Sequence, residues 1–417
     1  MAELDVRNVY KIFGENPDEA MDLLRQGISK KDVFEKTGQV VGVHDVSFHL
    51  KSGSFFCIMG LSGSGKSTLL RCINRLVDPT SGEIYLESEG NRIDIARLTK
   101  KELKMVRKKQ MAMIFQHFAL FPYRTVLSNA AFGLEVQGIP KKKREQKAQE
   151  ILGLVGLGEW GTVCPPQLSG GMQQRVGLAR ALASEGDLLL MDEPFSALDP
   201  LIKVNMQDEL INLQNQIQRT ILFVTHDLDE ALKLGDKIAI MEQGRIVQMG
   251  TPEQIIVNPK TEYVTRFVEN ADATGVISLG TIARKLPLNS DGVTTADTSI
   301  LEKEPAFFAK YRDVVYYLDE DSRPLGCVRR GRTFPLRPVH RNMTAKEARR
   351  IFLMADDKML LKDLMYIRLE ISVNPVVVVS EAGVFQGVIT EKEVLQGILD
   401  KGRSNNNSTK HGGTGDK

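Results

Sequence analysis

Little in this sequence points out of the cell or into a bilayer. Cysteine is scarce: Cys57, Cys72, Cys164 and Cys327 are scattered through 417 residues. No two have the spacing of a metal site or redox pair, which excludes a disulfide framework and leaves buried thiols in a reducing compartment. No apolar run approaches the roughly 20 residues that span a bilayer. The N-terminus MAELDVRNVYK lacks the apolar core and cleavage site of a signal peptide. An excess of one charge is missing too: 55 Lys and Arg stand against 53 Asp and Glu, a formal net charge of +2. That is too small to indicate a nucleic-acid partner. These absences predict a cytosolic chain that reaches a membrane only through a partner.

What remains is ordinary for a globular protein, with 42% hydrophobic and 26% charged residues. The length allows two or three domains with a sizeable core. LDVRNVYKIFG, from Leu4, alternates like an edge strand. NPDEAMDLLRQG follows as a helix, with Asn16 as cap, Pro17 in the first turn and Gly27 at the stop. SKKDVFEKTG gives a second helix, capped by Ser29 and ended near Gly38. The two form a helical hairpin over 16–38, set into a sheet whose strands resume with VVGVHDVSFHL and SFFCIMG.

Between Gly60 and about Gln248, short apolar strands alternate with helices. MAMIFQ, DLLLMDEP and TILFVTHD each end in polar residues. Near-continuous apolar strands between helices predict a parallel α/β sheet covered on both faces, with ligands at the carboxyl ends of its strands. The texture changes after about Ala271. RNMTAKEARRIFLMADD reads as a helix, NPVVVVSEAGVFQGVIT as two strands around a turn, and EKEVLQGILDKG as a closing helix. DVVYYLDEDSRPLGCVRR is a fainter copy, so a repeat is expected. The polar end, 402–417, reads as a disordered tail.

GLSGSGKST, Gly60 to Thr68, satisfies the phosphate-loop pattern through Gly60, Gly65, Lys66 and Ser67. Glycines let the backbone amides of a stretch such as Ser62, Gly63 and Ser64 turn inward onto phosphate oxygens. Lys66 reaches the terminal phosphates, and the Ser67 hydroxyl is suited to Mg²⁺. Asp192, after the apolar run Leu188–Met191, is a second candidate for that ion. Glu193 is placed to orient and deprotonate a water. Gln116 and His226 end two other strands of the same sheet.

A second stretch, LSGGMQQR from Leu168, resembles another phosphate grip but has no lysine after its glycines. Together with Gly60–Thr68, Gln116, Leu188–Pro194, Ser196–Asp199 and His226, it resembles the ATP-binding cassette (ABC) ATPases. The resemblance implies a P-loop NTPase fold: a RecA-like core, an antiparallel β edge and a helical subdomain at about 117–180. It also implies ATP and Mg²⁺ as cofactors, and two copies paired head to tail. Each ATP would then lie between one copy's phosphate loop and the other's Leu168, Ser169, Gly170, Gly171 and Gln173, so the partner supplies the missing lysine. By the same resemblance Gln116 senses the γ-phosphate and joins Ser67 and Asp192 at Mg²⁺. His226 steadies the γ-phosphate and the water, and Asp199 shapes the dimer seam. Adenine stacks on Phe13, with Tyr10 second.

The hairpin after IFG, the wording IMGLSGSGKSTLLRCINRL and QLSGGMQQRVGLARALA, and the C-terminal repeat narrow the resemblance to glycine betaine and proline betaine uptake ATPases. That implies an ATPase domain over 1–270 and an α+β tandem cystathionine-β-synthase-type (CBS) module over 271–401 with a degenerate first repeat. It implies work at the cytoplasmic face of the membrane with permease subunits and an extracytoplasmic solute-binding protein or domain. Choline, carnitine and trimethylamine N-oxide remain open as solutes. Phe118, Leu120, Phe121 and Tyr123 suit a helix of the membrane subunit. The C-terminal module would sense ionic strength near anionic lipid, bind a nucleotide such as cyclic di-AMP, or only dimerise. Arg329, Arg330 and Arg332 are its basic cluster, and KKKRE from Lys141 is a second basic run. A non-transport ABC ATPase and an adenine-nucleotide sensor are the competing classes.

Overall fold

The computed structural model describes residues 2–88, 90–116, 119–184, 186–196, 198–269, 271–289, 306–311, 314–329, 332–334, 336–339, 352–366 and 375–399. The chain divides into two compact units. One runs to Ile255 and includes Lys260–Val264; the other holds Ile256–Pro259 and the described residues from Thr265 onward.

The first unit opens with β1 (Ala2–Phe13), α1 (Pro17–Arg25), α2 (Lys30–Thr37), β2 (Val40–Leu50), β3 (Phe55–Met59) and α3 (Lys66–Ile73). Next come β4 (Ser81–Ser88), β5 (Asn91–Asp94), α4 (Lys100–Lys109) and β6 (Met111–Ile114). Four helices follow: α5 (Val126–Ala130), α6 (Phe132–Gln137), α7 (Lys141–Leu154) and α8 (Gly170–Ala183). β7 (Leu188–Asp192), α9 (Pro200–Ile217), β8 (Thr220–Thr225), α10 (Leu228–Leu234), β9 (Lys237–Glu242) and β10 (Arg245–Gly250) continue the unit.

These strands make two sheets. A four-stranded antiparallel sheet runs β2-β1-β4-β5. A six-stranded sheet runs β10-β9-β3-β8-β7-β6, parallel except where β10 meets β9. The expectation of an edge strand from Leu4 is overturned, because β1 is paired on both sides, to β2 and β4. Alternation reports a strand with one buried face, not an unpaired edge.

One apolar core joins the sheets through α3. Leu69, Leu70 and Ile73 pack with Leu4, Val6 and Ile84 of the first sheet and with Ile58, Leu190 and Leu222 of the second. Each such side chain contributes about 1.5–3 kcal/mol by leaving water. The helix behind the phosphate loop is therefore held on two sides. Thr220 adds a polar tie: its hydroxyl accepts from Gly53 N at 2.9 Å and donates to the Ala2 carbonyl at 2.5 Å.

The hairpin α1–α2 sits between paired residues Phe13 and Val40. Ser29 accepts from Asp32 N, and Gly38 ends α2 at φ +68°. Asn16 precedes α1 but makes no side-chain cap; its amide instead donates to Glu19. The KKKRE run lies on α7, where Lys141 pairs with Glu145 and Arg144 with Glu135.

The second unit holds the antiparallel sheet β11 (Phe307–Tyr311), β12 (Val314–Leu318), β13 (Pro324–Arg329) and β14 (Arg332–Phe334). A mixed sheet of β15 (Leu336–Pro338), β16 (Phe352–Asp356), β17 (Val376–Val379) and β18 (Phe385–Ile389) follows. The hairpin β17–β18, turning through Gly383 at φ +80°, and the helix Glu391–Leu399 lie where the sequence placed them. The helix expected from Arg341 is overturned at its end: Phe352–Asp356 is a strand, parallel to both β15 and β17. Residues 341–351 and the tail 402–417 lie outside the described residues. So does Arg330, while Arg329 and Arg332 are direct partners across β13–β14.

Thr220→Val keeps the shape but strands the Gly53 amide and the Ala2 carbonyl. It is expected to destabilise the first unit by about 1–3 kcal/mol in urea unfolding, with Thr220→Ser near wild type.

Candidate nucleotide site

The site stands at the carboxyl ends of β3, β7 and β8. After β3 the chain cannot continue straight, because α3 must start beneath the sheet end. Gly60, Gly63 and Gly65 take φ of +153°, +78° and +104°. A Cβ at Gly60 would meet the Met241 carbonyl at 2.2 Å, and one at Gly65 the Gly42 carbonyl at 2.3 Å. These glycines are needed for conformation and for close approach together. Tyr263 steadies the loop, its hydroxyl accepting from Leu61 N at 3.2 Å and donating to the Met241 carbonyl at 3.3 Å.

Lys66, 4% exposed, folds back inside this loop. Its ammonium donates to the carbonyls of Gly60 at 2.7 Å and Leu61 at 3.0 Å, and lies 3.9 Å from Glu193 Oε1. Burial pulls its pKa below the ordinary lysine range, and the Glu193 and Asp192 carboxylates oppose that shift. The next residue, Ser67, donates from Oγ to Asp192 Oδ1 at 2.7 Å. Arg71, one turn further along α3, approaches the other Asp192 oxygen at 3.6 Å. Sequence reading missed Arg71, although i, i+4 spacing puts it on the Ser67 face of the helix.

Glu193 leaves β7 with φ +46°, a left-handed conformation that costs a non-glycine residue roughly 1–2 kcal/mol. Its amide donates to the Val224 carbonyl of β8 at 2.9 Å. That turn brings Oε2 to 3.1 Å from His226 Nδ1. Lys66, Ser67, Asp192, Glu193 and His226 thus form one connected group. Gln116, exposed, lies just past β6, the strand beside β7. The Ser64 hydroxyl is buried and has no hydrogen-bond partner. A buried orphan donor, inward glycines and a buried ammonium fit a polyphosphate. The Ser67–Asp192 pair fits the divalent ion that accompanies it.

Phe13 is 40% exposed and lies beneath the Lys11 ammonium, which is 4.9 Å from its ring centroid. A Cβ at Gly42 would touch both that ring and Thr68, so the ring borders the phosphate-loop helix. Tyr10 instead packs at 5.6 Å on His44.

The lysine-free stretch lies on α8. Ser169 caps it by accepting from Met172 N, and Gln173 donates to the Pro165 and Leu168 carbonyls. Ser169 and Gly170 are exposed, and a Cβ at Gly170 would meet nothing within 4 Å. A Cβ at Gly171 would contact Ile202 and Leu198, so this helix start packs against the start of α9, where Asp199 is exposed.

Comparison with known proteins agrees with this geometry. Residues 43–196 match the ABC transporter family. The chain is 48% identical over 333 residues to the glycine betaine/proline betaine transport ATP-binding protein ProV of Escherichia coli, covering 80% of this chain and 79% of that one. It is 42% identical over 413 residues to the glycine betaine transport ATP-binding protein OpuAA of Bacillus subtilis, covering 96% and 91%. The dimeric post-hydrolysis structure of the ATP-binding cassette MJ0796 with ADP and Pi has TM-score 0.50 and 30% identity, covering 60% of this chain and 98% of that one. The chain belongs to the ATP-binding proteins of ABC transporters. It is a transport ATPase with the P-loop fold, and no helix among its described residues is long and apolar enough to cross a membrane.

Gly65→Ala is expected to abolish nucleotide binding by titration calorimetry, because its Cβ would strike backbone. Gly63→Ala, strained in φ but facing open space, should weaken binding by only about tenfold, the equivalent of 1–2 kcal/mol.

Proposed function

We propose that this chain is the ATP-hydrolysing subunit of an importer for glycine betaine and related compatible solutes. The match to OpuAA over nearly the whole of both chains is the observation that carries the solute class. In this reading residues 1–270 are the ATPase domain and 271–401 a CBS-type regulatory module. Two copies close head to tail over ATP at the cytoplasmic face of the membrane and reopen after hydrolysis.

Each residue has a definite task. Gly60–Thr68 wrap the phosphates with backbone amides, and Lys66 exchanges two carbonyl contacts for phosphate oxygens. Phe13 stacks on adenine. Ser67 and Asp192, with Gln116 just past β6, would hold Mg²⁺, which would supply positive charge at the phosphates. Glu193 orients a water and accepts its proton. His226 lies against Glu193 and holds the γ-phosphate side of that water. Ser169, Gly170, Gly171 and Gln173 of the second copy close the far side with a helix start, and Asp199 lines the seam. The exposed Ser169–Gly170 corner supports this role.

A groove of about 340 Å³ supports a permease partner. It is lined by Met111, Phe115, Phe121, Phe132 and Val136, with Arg107 and Arg180 at its polar edge. Asn129 pins its loop, accepting from Phe121 N and donating to the Phe121 and Arg124 carbonyls. Tyr123, 95% exposed, follows Phe121 by two residues. Phe118 lies outside the described residues. The groove fits an apolar helix from a membrane subunit.

Uptake of labelled glycine betaine into liposomes holding this chain, its permease and ATP tests the reading. Uptake should vanish with Lys66→Ala. Glu193→Gln should lower ATP turnover by roughly 10²–10⁴-fold while trapping an ATP-bound dimer on size exclusion. Turnover without betaine uptake moves the solute to carnitine, choline or trimethylamine N-oxide. Val136→Glu, in the groove, should abolish uptake and leave turnover of the isolated chain unchanged.

A further inference from the structure

His226 is flanked by a half-buried ionic cluster that the ATPase reading leaves without a task. Lys203, on α9, reaches across to the turn after β8. Its ammonium lies 2.5 Å from Asp227 Oδ2 and 2.7 Å from Glu230 Oε1. The Glu230 carboxylate is 3% exposed, and its other oxygen accepts from Thr225 Oγ1 at 2.5 Å. Thr225 Oγ1 in turn accepts from Asp227 N at 3.0 Å, and Asp227 Oδ1 accepts from the amides of Asp229 and Glu230. The residues on both sides of His226 are therefore clasped, while the His226 side chain is 54% exposed.

The other end of the clasp is equally defined. Lys203 sits one turn into α9, and its amide donates to the Asp199 carbonyl at 2.9 Å. Asp199 precedes Pro200 at the start of that helix, the end that packs on the α8 stretch through Ile202. One residue thus joins the seam-facing start of α9 to the turn that presents His226.

We propose that Lys203 is a positioning residue: it locks the α9 start to the His226 turn and so keeps His226 against Glu193, where it already lies at 3.1 Å, when the second copy docks at Asp199. This rests on the reading of His226 and of the head-to-tail dimer given above. The cluster is suited to the task because a buried carboxylate that loses its cation strongly favours rearrangement over staying unpaired. The link therefore resists displacement of the His226 turn.

The test is steady-state ATP turnover of the full chain, read as kcat and KM separately, with ATP-trapped dimer formation in a Glu193→Gln background. Lys203→Met should lower kcat roughly 10- to 100-fold, keep KM within about twofold of wild type, and leave the trapped dimer intact. Lys203→Arg should recover most of the rate. Glu230→Gln should give the same kcat-selective loss, and the double variant should be no worse than either single one. Unchanged kcat in Lys203→Met overturns the proposal, as do additive losses or a rate loss matched by lost nucleotide binding. Should Lys203→Met not fold, Glu230→Gln decides by the same criteria. His226→Ala separates the two levels. If it turns over normally, the His226 reading fails and takes this proposal with it. If it is inactive while Lys203→Met is fully active, only the proposal fails.

Discussion

A lysine ammonium is held out of water inside a loop of backbone, and much of the ATPase unit is arranged around that cost. Lys66 has two carbonyls and a carboxylate at 3.9 Å to replace its solvation. An isolated buried charge is costly by several kcal/mol, so everything that fixes those partners matters. Met241 and Gly42 press on the loop from neighbouring strands, leaving room only for glycine at Gly60 and Gly65. The shared core around Leu69, Leu70 and Ile73 keeps α3 from receding. The same rigidity places Ser67 at Asp192 and presents a cradle that phosphate can enter without rearranging the fold.

Much of this was legible in the sequence because it is local. GLSGSGKST carries its turn, its cation and its helix start within nine residues. The strand ends Asp192, Glu193 and His226 follow apolar runs that leave only one face of the sheet for them. Register did the rest: β3, β8 and β7 are adjacent and parallel, so their carboxyl ends coincide. Contacts set by long chain separation left no such trace. Tyr263 on Leu61 spans 202 residues, and no spacing rule predicts it. The Lys203 cluster is partly legible, since Asp227 and Glu230 are a helix cap and its third position, but the lysine arrives from another element.

In the second unit the misreading has a physical cause. IFLMADD is a short apolar run with no turn residue before it, and helix and strand cannot be distinguished there by periodicity alone. Parallel pairing with β15 and β17 decides for a strand. VVVV, by contrast, is β-branched throughout and bounded by a proline and a glycine turn, so propensity and tertiary pairing agree on β17.

The lysine-free stretch answers to the same electrostatics as Lys66 from the opposite direction. A capped, exposed helix start attracts an anion by about 0.3–1 kcal/mol, too little to hold a nucleotide from water alone. A lysine there would bind ATP without a second copy and would repel the incoming Lys66. In the proposed head-to-tail dimer, the Ser169–Gln173 face would instead add its capped helix start to a γ-phosphate already held by Lys66 of the facing copy. In the proposed head-to-tail dimer, closure is therefore conditional on a γ-phosphate in the facing copy. Cleaving that phosphate removes the group both halves share. In that proposed dimer, dividing the grip between two surfaces, one cationic and rigid and one neutral and weak, would let hydrolysis at a single bond reopen the interface.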